Sequence, residues 1–487
     1  MSQFPPRPYC RRLPGKYLGT MDYRDVHVRD EDSNAITGST PPSASDADVA
    51  PRSGTDHARM GTPVGTMTVA GGATGLSRRR WGLGLGLLAV WGPGLVVMLA
   101  DTDAGSLITA AQSGAQWGYA MILPQLVLVP ILYVVQEMTV RLGIITGQGH
   151  GALIRSRFGR GWALLSAGTL FLSSIGALIT EFAGVAGISE LFGISRWISI
   201  PTATAFLLGL AISGSYTRVE RIGIALGLAE LAFLPAVVLA HPDVHAIGQG
   251  LTSLPLANSS YLFLLAANIG AVIMPWMIFY QQGAVIDKHL TASTIRRARQ
   301  DTAFGAVLTQ SVMIMMVIAL AATVGRTHSE ASLTTVGQIA NGLTPFLGHL
   351  GGRVFFGLGI LGAALVAAIV SSLAAAWGLA EVFGWKHTLN QRPNRQTAAF
   401  YLTYSLAHIL GAVLVLSSID LISLAVDVEV MNALLLPIVL GFLLALEAKA
   451  LPAQWRMRGW QKHTTWLLCL VVIGFALYMI PQTLTTL

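Results

Sequence analysis

Two aspartates and a glycine interrupt an otherwise apolar stretch of the chain, MLADTDAGSLITAA, residues 98–111. Asp101 and Asp103 are acids inside a segment that has the composition of a membrane span, and Gly105 loosens a helix there. A charge inside a span costs at least about 2.5 kcal/mol and indicates an ion or substrate pathway by default. We therefore expect a helix that is broken in order to hold a cation.

A second interruption lies in AVIMPWM, residues 271–277, around Pro275. The two breaks fall at corresponding positions in two groups of five apolar spans. Broken helices at matched positions are typical of inverted-repeat transporters, whose substrate site lies near the bilayer midplane. Unwound backbone is tolerated there because it lines a polar cavity, and its freed carbonyl groups can face an ion.

The composition is that of a polytopic membrane protein. Of 487 residues, 53% are hydrophobic and only 11% are charged, whereas soluble domains carry roughly a quarter charged residues. The net charge of +7 resides in short loops between apolar runs, a distribution that specifies membrane topology and does not indicate nucleic-acid binding. Cys10 and Cys469 lie at opposite ends of the chain, which excludes a disulfide framework or a cysteine-based metal site.

Allowing about 20 residues per span predicts eleven transmembrane helices. Their approximate positions are 82–115 (interrupted), 118–140, 162–190, 197–213, 219–240, 258–286 (interrupted), 303–325, 354–383, 398–417, 419–446 and 464–484. Basic residues concentrate in alternate loops, and the loop at 241–260 has no Lys or Arg. This distribution predicts a cytoplasmic N-terminus.

The predicted domain organisation follows from these spans. Residues 1–77 are rich in Pro, Gly, Ser and Asp and are predicted to be a disordered cytoplasmic tail. Residues 78–487 form the transporter domain. It comprises a first repeat at about 81–240, a second repeat at about 258–447 and an extra helix at about 464–484.

The two breaks and two further motifs resemble the Nramp family of divalent-metal transporters. Family members carry GPG followed by DPGN in span 1; this chain has GPGLVVMLADTDAGS, in which DAGS (103–106) stands at the DPGN positions. QEMTVRLGIITGQGHG (136–151) resembles the end of span 2, and EFAG (181–184) resembles the span 3 motif. The resemblance covers roughly residues 81–486.

The span 6 motif of the family is AxxMP followed by His. Ala271, Met274 and Pro275 match it, whereas Trp276 stands at the His position. The departures resemble a divergent branch of the family that includes magnesium transporters.

The resemblance implies a set of metal ligands: the Asp103 carboxylate, the carbonyls of Ala100 and Ala271, the Met274 thioether and, in place of the family's Asn, the Ser106 hydroxyl. A thioether contributes little to Mg²⁺ or Ca²⁺ but favours Mn²⁺, Fe²⁺, Co²⁺ and Cd²⁺. Met274 therefore favours a transition metal. Loss of the Asn ligand and the additional acid favour the alternative, Mg²⁺, which keeps several waters.

Several of these residues have a second interpretation. Asp101 either attracts cations near the ligands or ends a helix in water, and Ser106 either binds the ion or caps the second half of span 1. Glu181 lies either on the ion and proton pathway or in a structural ion pair or hydrogen bond.

Asp427 and Glu429 in span 10 either line a vestibule or cap the helix near the interface; we favour the cap. Glu137 and Arg141 are predicted to form an i,i+4 ion pair.

Proton coupling in the family involves a span 3 Asp and span 6 His residues. Those positions hold Leu178, Trp276 and Gln281 here, none of which titrates near neutral pH. We expect coupling to be weak or absent, with other carboxylates as the alternative route.

Taken together, the sequence predicts an all-α, LeuT-like transporter of the cell membrane, most simply a bacterial inner membrane, that imports Mn²⁺ by alternating access. It needs no cofactor and is not an enzyme: no second Gly-rich Asp break of a protease and no DDxxD-type cluster of a prenyl transferase is present. An amino-acid transporter on the same scaffold is the alternative of another class, which Asp103 disfavours. We expect a monomer in the bilayer that does not bind nucleic acid.

Overall fold

The computed structural model describes residues 92–233, 243–327, 333–386, 391–417 and 420–484. The predicted tail, residues 1–77, and the first part of span 1 lie outside the described residues. The helices are α1 (Pro93–Asp101), α2 (Ala104–Trp117), α3 (Ile122–Thr146), α4 (His150–Phe158), α5 (Arg160–Leu191), α6 (Arg196–Ile212), α7 (Tyr216–Gly227), α8 (Val244–Thr252), α9 (Ser259–Val272), α10 (Pro275–Asp287), α11 (Ile295–Ala322), α12 (Val324–Thr327), α13 (Val336–Phe383), α14 (Ala398–Ser417), α15 (Leu421–Ala450) and α16 (Gly459–Leu484).

Eight helical segments in the described part of the chain are long and apolar enough to cross a membrane. One of them, Ala104–Thr146, contains the second half of predicted span 1 and all of span 2, joined by the 3₁₀ turn Gly118–Met121. Predicted span 4 is the shorter apolar helix α6, and predicted span 5 extends beyond the described residues. The helix count is therefore consistent with the eleven predicted spans.

Both predicted helix breaks are confirmed. The first separates α1 from α2 at Thr102 and Asp103, and the second separates α9 from α10 at Ile273 and Met274. Pro275 occupies the first turn of α10, where its missing N–H leaves no hydrogen bond unmade. The two broken helices lie at the centre of the molecule: the apolar window of α9 and α10 is 83% buried, against 28% for α16.

The start of α1 is held by a side chain from another helix. The carboxylate of Asp301 on α11 accepts hydrogen bonds from the backbone N–H groups of Gly92 (3.2 Å), Gly94 (2.9 Å) and Leu95 (3.3 Å). These are first-turn N–H groups, which have no partner within their own helix. The acid therefore caps α1 and fixes its position against α11.

A buried charge network joins three helices at the opposite end of α3 from the 3₁₀ turn. Arg141 binds Glu137 through two hydrogen bonds of 3.0 Å, which confirms the predicted i,i+4 pair, and also binds Glu447 on α15 at 3.1 Å. Arg299 on α11 donates to Glu137 at 2.8 Å. Because Arg141 is only 2% exposed, removing both Glu137 and Glu447 would leave its charge buried and uncompensated.

Two elements differ from the predicted pattern. The 241–260 loop contains the short helix α8, whose first turn is capped by the Asp243 carboxylate. Helix α13 extends well before the predicted start of span 8 and contains a non-helical residue, Gly348, with a φ of 70° that glycine adopts without steric cost.

We expect Gly270→Ala to destabilise the protein strongly. A Cβ atom at Gly270 would overlap the backbone carbonyl of Glu429 and lie 2.7 Å from the backbone nitrogen of Ala433, so α9 and α15 would have to move apart. Overpacking costs about 1–3 kcal/mol, and a clash with backbone belongs at the upper end because no side-chain rotation relieves it.

The measurement is the apparent melting temperature in detergent, with Gly441→Ala as the control. Gly441 also lies on a helix, α15, but no atom lies within 4 Å of a Cβ built there, so alanine should leave the melting temperature unchanged or slightly raised. Equal melting temperatures for the two variants would contradict the close α9–α15 packing.

Candidate metal-ion site

The two helix breaks meet through one hydrogen bond. The hydroxyl of Ser106, in the first turn of α2, donates to the backbone carbonyl of Ala271 at 2.9 Å, and both groups are fully buried. Ala271 lies one residue before the end of α9, where a helix leaves its carbonyls without intrahelical partners. The bond therefore satisfies a carbonyl of one break with a side chain from the other.

Asp103 caps the second half of the first broken helix. Its Oδ1 atom accepts a hydrogen bond of 2.6 Å from the backbone N–H of Ser106. Of the two interpretations of Ser106, the helix cap is therefore wrong, since the capping carboxylate is that of Asp103, the residue preceding the helix. The other oxygen, Oδ2, is buried and accepts no hydrogen bond from an N–H or hydroxyl group of the described residues, and the Glu181 carboxyl lies close enough to that of Asp103 for the two to share a hydrogen bond.

The carbonyls at the end of α1 are also near the break. Those of Met98 and Leu99 accept hydrogen bonds from the hydroxyls of Thr309 (2.7 Å) and Thr102 (3.2 Å), respectively. The carbonyl of Ala100, a predicted ligand, lies in this same last turn.

Asp101 is the last residue of α1 and is only 2% exposed. It does not end a helix in water, which was one of its two sequence-based interpretations. The structure instead places a second buried acid within two residues of Asp103.

Met274 is fully buried in the second break, and its sulfur already has a partner. The indole Nε1–H of Trp276 donates to Met274 Sδ at 3.0 Å. Trp276 is itself fully buried in the first turn of α10. The thioether predicted to bind the ion is thus hydrogen-bonded to the residue at the family's His position.

Glu181 connects α5 to the same break. Its Oε2 atom accepts a hydrogen bond from the backbone N–H of Ala104 at 3.2 Å, and its carboxylate interacts electrostatically with that of Asp103. No Lys or Arg of the described residues forms an ion pair with it. Of its sequence-based interpretations, the ion pair is therefore wrong, and a buried, hydrogen-bonded acid next to Asp103 is what the structure contains.

Glu429 belongs to this site, which the sequence interpretation did not anticipate. It is fully buried on α15, with Oε2 accepting from the Asn432 amide at 3.0 Å and Oε1 unpartnered among the described residues. A Cβ at Gly105 would lie 2.5 Å from Glu429 Oε1, so the glycine allows this close approach. The break lies before Gly105, whose role is steric and not the predicted loosening of the helix.

The sequence feature that could have identified Glu429 as a site residue is its depth in the span. It lies eight residues beyond the start of α15, about 12 Å along the helix at 1.5 Å per residue, too deep to cap the helix. The cap is Asp420, whose carboxylate accepts from Ile422 and Ser423.

Two predicted pathway residues lie apart from the ligands. Asp427 is exposed and lines an open cavity of about 780 Å³ between the end of α2 and the starts of α9 and α15. It therefore lines a vestibule and does not cap the helix. Gln281 is buried about 10 Å along α10 from Met274, and neither amide atom has a hydrogen-bond partner among the described residues.

The donor set combines acidic and neutral groups. Across the part of the chain that the structure describes, no three His, Cys, Asp or Glu side chains are arranged to hold a metal ion. An ion at the breaks would therefore depend on Asp103 for charge and on carbonyl, hydroxyl and thioether groups for its remaining ligands. Carboxylates and carbonyls suit divalent cations, and sulfur adds affinity for the softer ones.

Comparison with known proteins places this arrangement in a family. Residues 94–482 match the family model described as natural resistance-associated macrophage protein-like (Nramp). The divalent metal cation transporter MntH of Yersinia pestis (strain Pestoides F) is 27% identical over 296 residues, which cover 59% of this chain and 71% of the relative. MntH of Yersinia enterocolitica is 26% identical over 295 residues, with the same coverage.

Solved structures show the same fold. A manganese transporter of Eremococcus coleocola superimposes with a TM-score of 0.67 and 21% identity, covering 84% of this chain and 88% of that one. A Na⁺-coupled sialic acid symporter gives a TM-score of 0.56 at 14% identity, covering 81% and 89%. The LeuT-like fold is thus confirmed, and because the family model spans most of the chain, this protein belongs to the Nramp family.

Proposed function

We propose that this protein is a secondary transporter that imports divalent metal cations, Mn²⁺ foremost and also Fe²⁺, Co²⁺ and Cd²⁺, by alternating access. The observation that carries the proposal is the meeting of the two helix breaks through Ser106 and Ala271, beside Asp103, whose buried Oδ2 accepts no hydrogen bond from an N–H or hydroxyl group of the described residues. The relatives in Yersinia are named as divalent metal cation transporters, and the neighbour from E. coleocola is described as a manganese transporter.

The proposed ligands are Asp103 Oδ2, the carbonyls of Ala100 and Ala271, the Ser106 hydroxyl and the Met274 sulfur. A single carboxylate with neutral oxygens can bind any hard divalent ion, and the sulfur shifts the preference towards transition metals. An amino-acid substrate would instead present its own carboxylate to the break, where Asp103 would repel it.

Magnesium is the second candidate, and the Trp276–Met274 hydrogen bond is the observation that favours it. A sulfur engaged by an N–H group contributes less to a soft ion, and Glu429 brings a further carboxylate oxygen close to the α2 backbone. Both features favour hard ions. Because the thioether is retained, we still rank Mn²⁺ ahead of Mg²⁺ as the transported ion.

We also propose that coupling to protons is weak or absent. Leu178, Trp276 and Gln281 are fully buried at the family's titrating positions, and none exchanges a proton near neutral pH. The membrane potential alone suffices to accumulate a divalent ion, because each elementary charge is worth about 2.3 kcal/mol per 100 mV. We infer a transporter without enzymatic activity. The distribution of basic residues among the loops favours a cell-membrane location with a cytoplasmic N-terminus.

The two ends of the helices differ in a way that is consistent with alternating access. The 780 Å³ cavity opens on the side predicted to be external, lined by Asp427. At the other end, Arg141 ties α3 to α15 through Glu447, while Arg299 ties α11 to α3 through Glu137. The charge network closes the cytoplasmic end in this conformation, and inward opening would require it to separate.

Uptake into proteoliposomes tests the proposed function. Under an inside-negative potential we expect saturable Mn²⁺ entry that excess Mg²⁺ does not block, without acidification of an internal pH-sensitive dye. Equal entry of both ions, or of Mg²⁺ alone, would replace the manganese assignment with magnesium. Internal acidification that accompanies Mn²⁺ entry would contradict uncoupled transport.

Asp103→Ala tests the location of the site. Outer-shell partners of metal ligands typically contribute 10–100-fold to affinity, so loss of the charged ligand should weaken Mn²⁺ binding by more than about 100-fold. Binding is measured by isothermal titration calorimetry on the purified full chain.

The matched control is Asp427→Ala, which removes an exposed carboxylate from the vestibule and should change Mn²⁺ affinity only a few-fold. If Asp103→Ala bound Mn²⁺ as tightly as the parent, the proposed site would be wrong.

A further inference from the structure

The hydrogen bond between Trp276 and Met274 is an unusual feature for a metal ligand. The sulfur of Met274 accepts the indole N–H at 3.0 Å, and both side chains are fully buried. Only Pro275 separates them, and both lie at the start of α10, so the contact is local and does not depend on the packing of distant helices.

The other proposed ligands are all oxygen atoms. They are the Asp103 carboxylate, the Ser106 hydroxyl and the carbonyls of Ala100 and Ala271. Met274 is therefore the only soft donor of the set, and whatever limits the access of an ion to its sulfur also limits how well the site distinguishes soft ions from hard ones.

An ion that binds Met274 Sδ must compete with the indole N–H. If the ion displaces the N–H, a buried donor is left without a partner, which is unfavourable. If the N–H stays, it withdraws electron density from a sulfur that is already a weak acceptor. Either outcome reduces the benefit that a soft ion draws from the thioether, while hard ions, which gain little from sulfur, lose little.

We propose that Trp276 is a specificity-determining residue that masks the Met274 sulfur and weakens the preference of the site for soft cations. This inference rests on the proposed function, since it assumes that the transported ion binds at the helix breaks. Trp276 acts through Met274 and does not itself coordinate the ion. The ions affected are the soft divalent cations such as Cd²⁺, whose advantage over Mn²⁺ at this site is reduced.

A double-mutant cycle tests this role. Trp276→Phe retains an aromatic ring and removes the N–H, and Met274→Leu retains the side-chain volume and removes the sulfur. For the parent, both single variants and the double variant, the dissociation constants of Mn²⁺ and Cd²⁺ are measured by calorimetry on the full-length protein in detergent.

We expect Trp276→Phe to raise the preference for Cd²⁺ over Mn²⁺ by about tenfold, equivalent to about 1.4 kcal/mol. The same change in the Met274→Leu background should leave the preference unaltered. An equal shift in both backgrounds would mean that Trp276 acts through its size, and no shift in either would mean that the sulfur is not masked; both results overturn the inference.

Met274→Leu alone provides a second test that does not require the Trp276 variant to fold. If the sulfur is masked, this substitution should lower the preference for Cd²⁺ over Mn²⁺ less than tenfold. A loss far above tenfold would show a fully available thioether and overturn the inference.

One further variant distinguishes failure of the proposed function from failure of the masking inference. Asp103→Ala is included, and metal binding that does not depend on Asp103 would overturn the site and the masking together. Binding that depends on Asp103, combined with an unchanged ion preference in Trp276→Phe, would overturn only the masking.

Discussion

The hydrogen bond from the Ser106 hydroxyl to the Ala271 carbonyl joins the two interrupted helices, and the geometry of the site depends on it. Each interruption exposes peptide groups inside an apolar bundle, where an unsatisfied polar group is costly. The chain satisfies most of them with its own side chains: Asp103 and Glu181 accept from the first turn of α2, and Thr309 and Thr102 donate to the last carbonyls of α1. No N–H or hydroxyl group of the described residues donates to Asp103 Oδ2, so this buried oxygen is available to a cation.

The helix breaks, and the two buried acids at the first of them, could be predicted from the sequence because their signals are local. Aspartates inside an apolar run and a proline in a second run at a matched position indicate broken helices without any knowledge of packing.

Glu429 could not be assigned in this way, since its approach to α2 depends on the crossing of α15 and on the missing Cβ of Gly105. The capping of α1 by Asp301, 207 residues after Gly94, depends on tertiary structure for the same reason. The Trp276–Met274 bond depends on side-chain rotamers, which a sequence pattern does not specify.

The proposed ligands include both hard and soft donors, so the preference between Mn²⁺ and Mg²⁺ is small. Asp103, the two carbonyls and the Ser106 hydroxyl are the hard donors of the proposed site, and the nearby carboxyl groups of Glu181 and Glu429 are paired to no buried cation of the described residues. Met274 is soft, but Trp276 occupies its sulfur. In the proposed site, the preference between soft and hard ions therefore depends on whether an ion or the indole N–H of Trp276 occupies the Met274 sulfur. A cavity lined by Asp427 lies at one end of the helices, and the charge network around Arg141 lies at the other.

The most direct measurement is an anomalous difference map from crystals of the full chain grown with Mn²⁺, collected at the manganese absorption edge. We expect one strong peak between the two helix breaks, within coordination distance of Asp103 Oδ2 and the Ala271 carbonyl, that disappears in Asp103→Ala. A peak elsewhere in the bundle, or one at the breaks that persists in Asp103→Ala, would contradict the assignment of the breaks and Asp103 as the ion site.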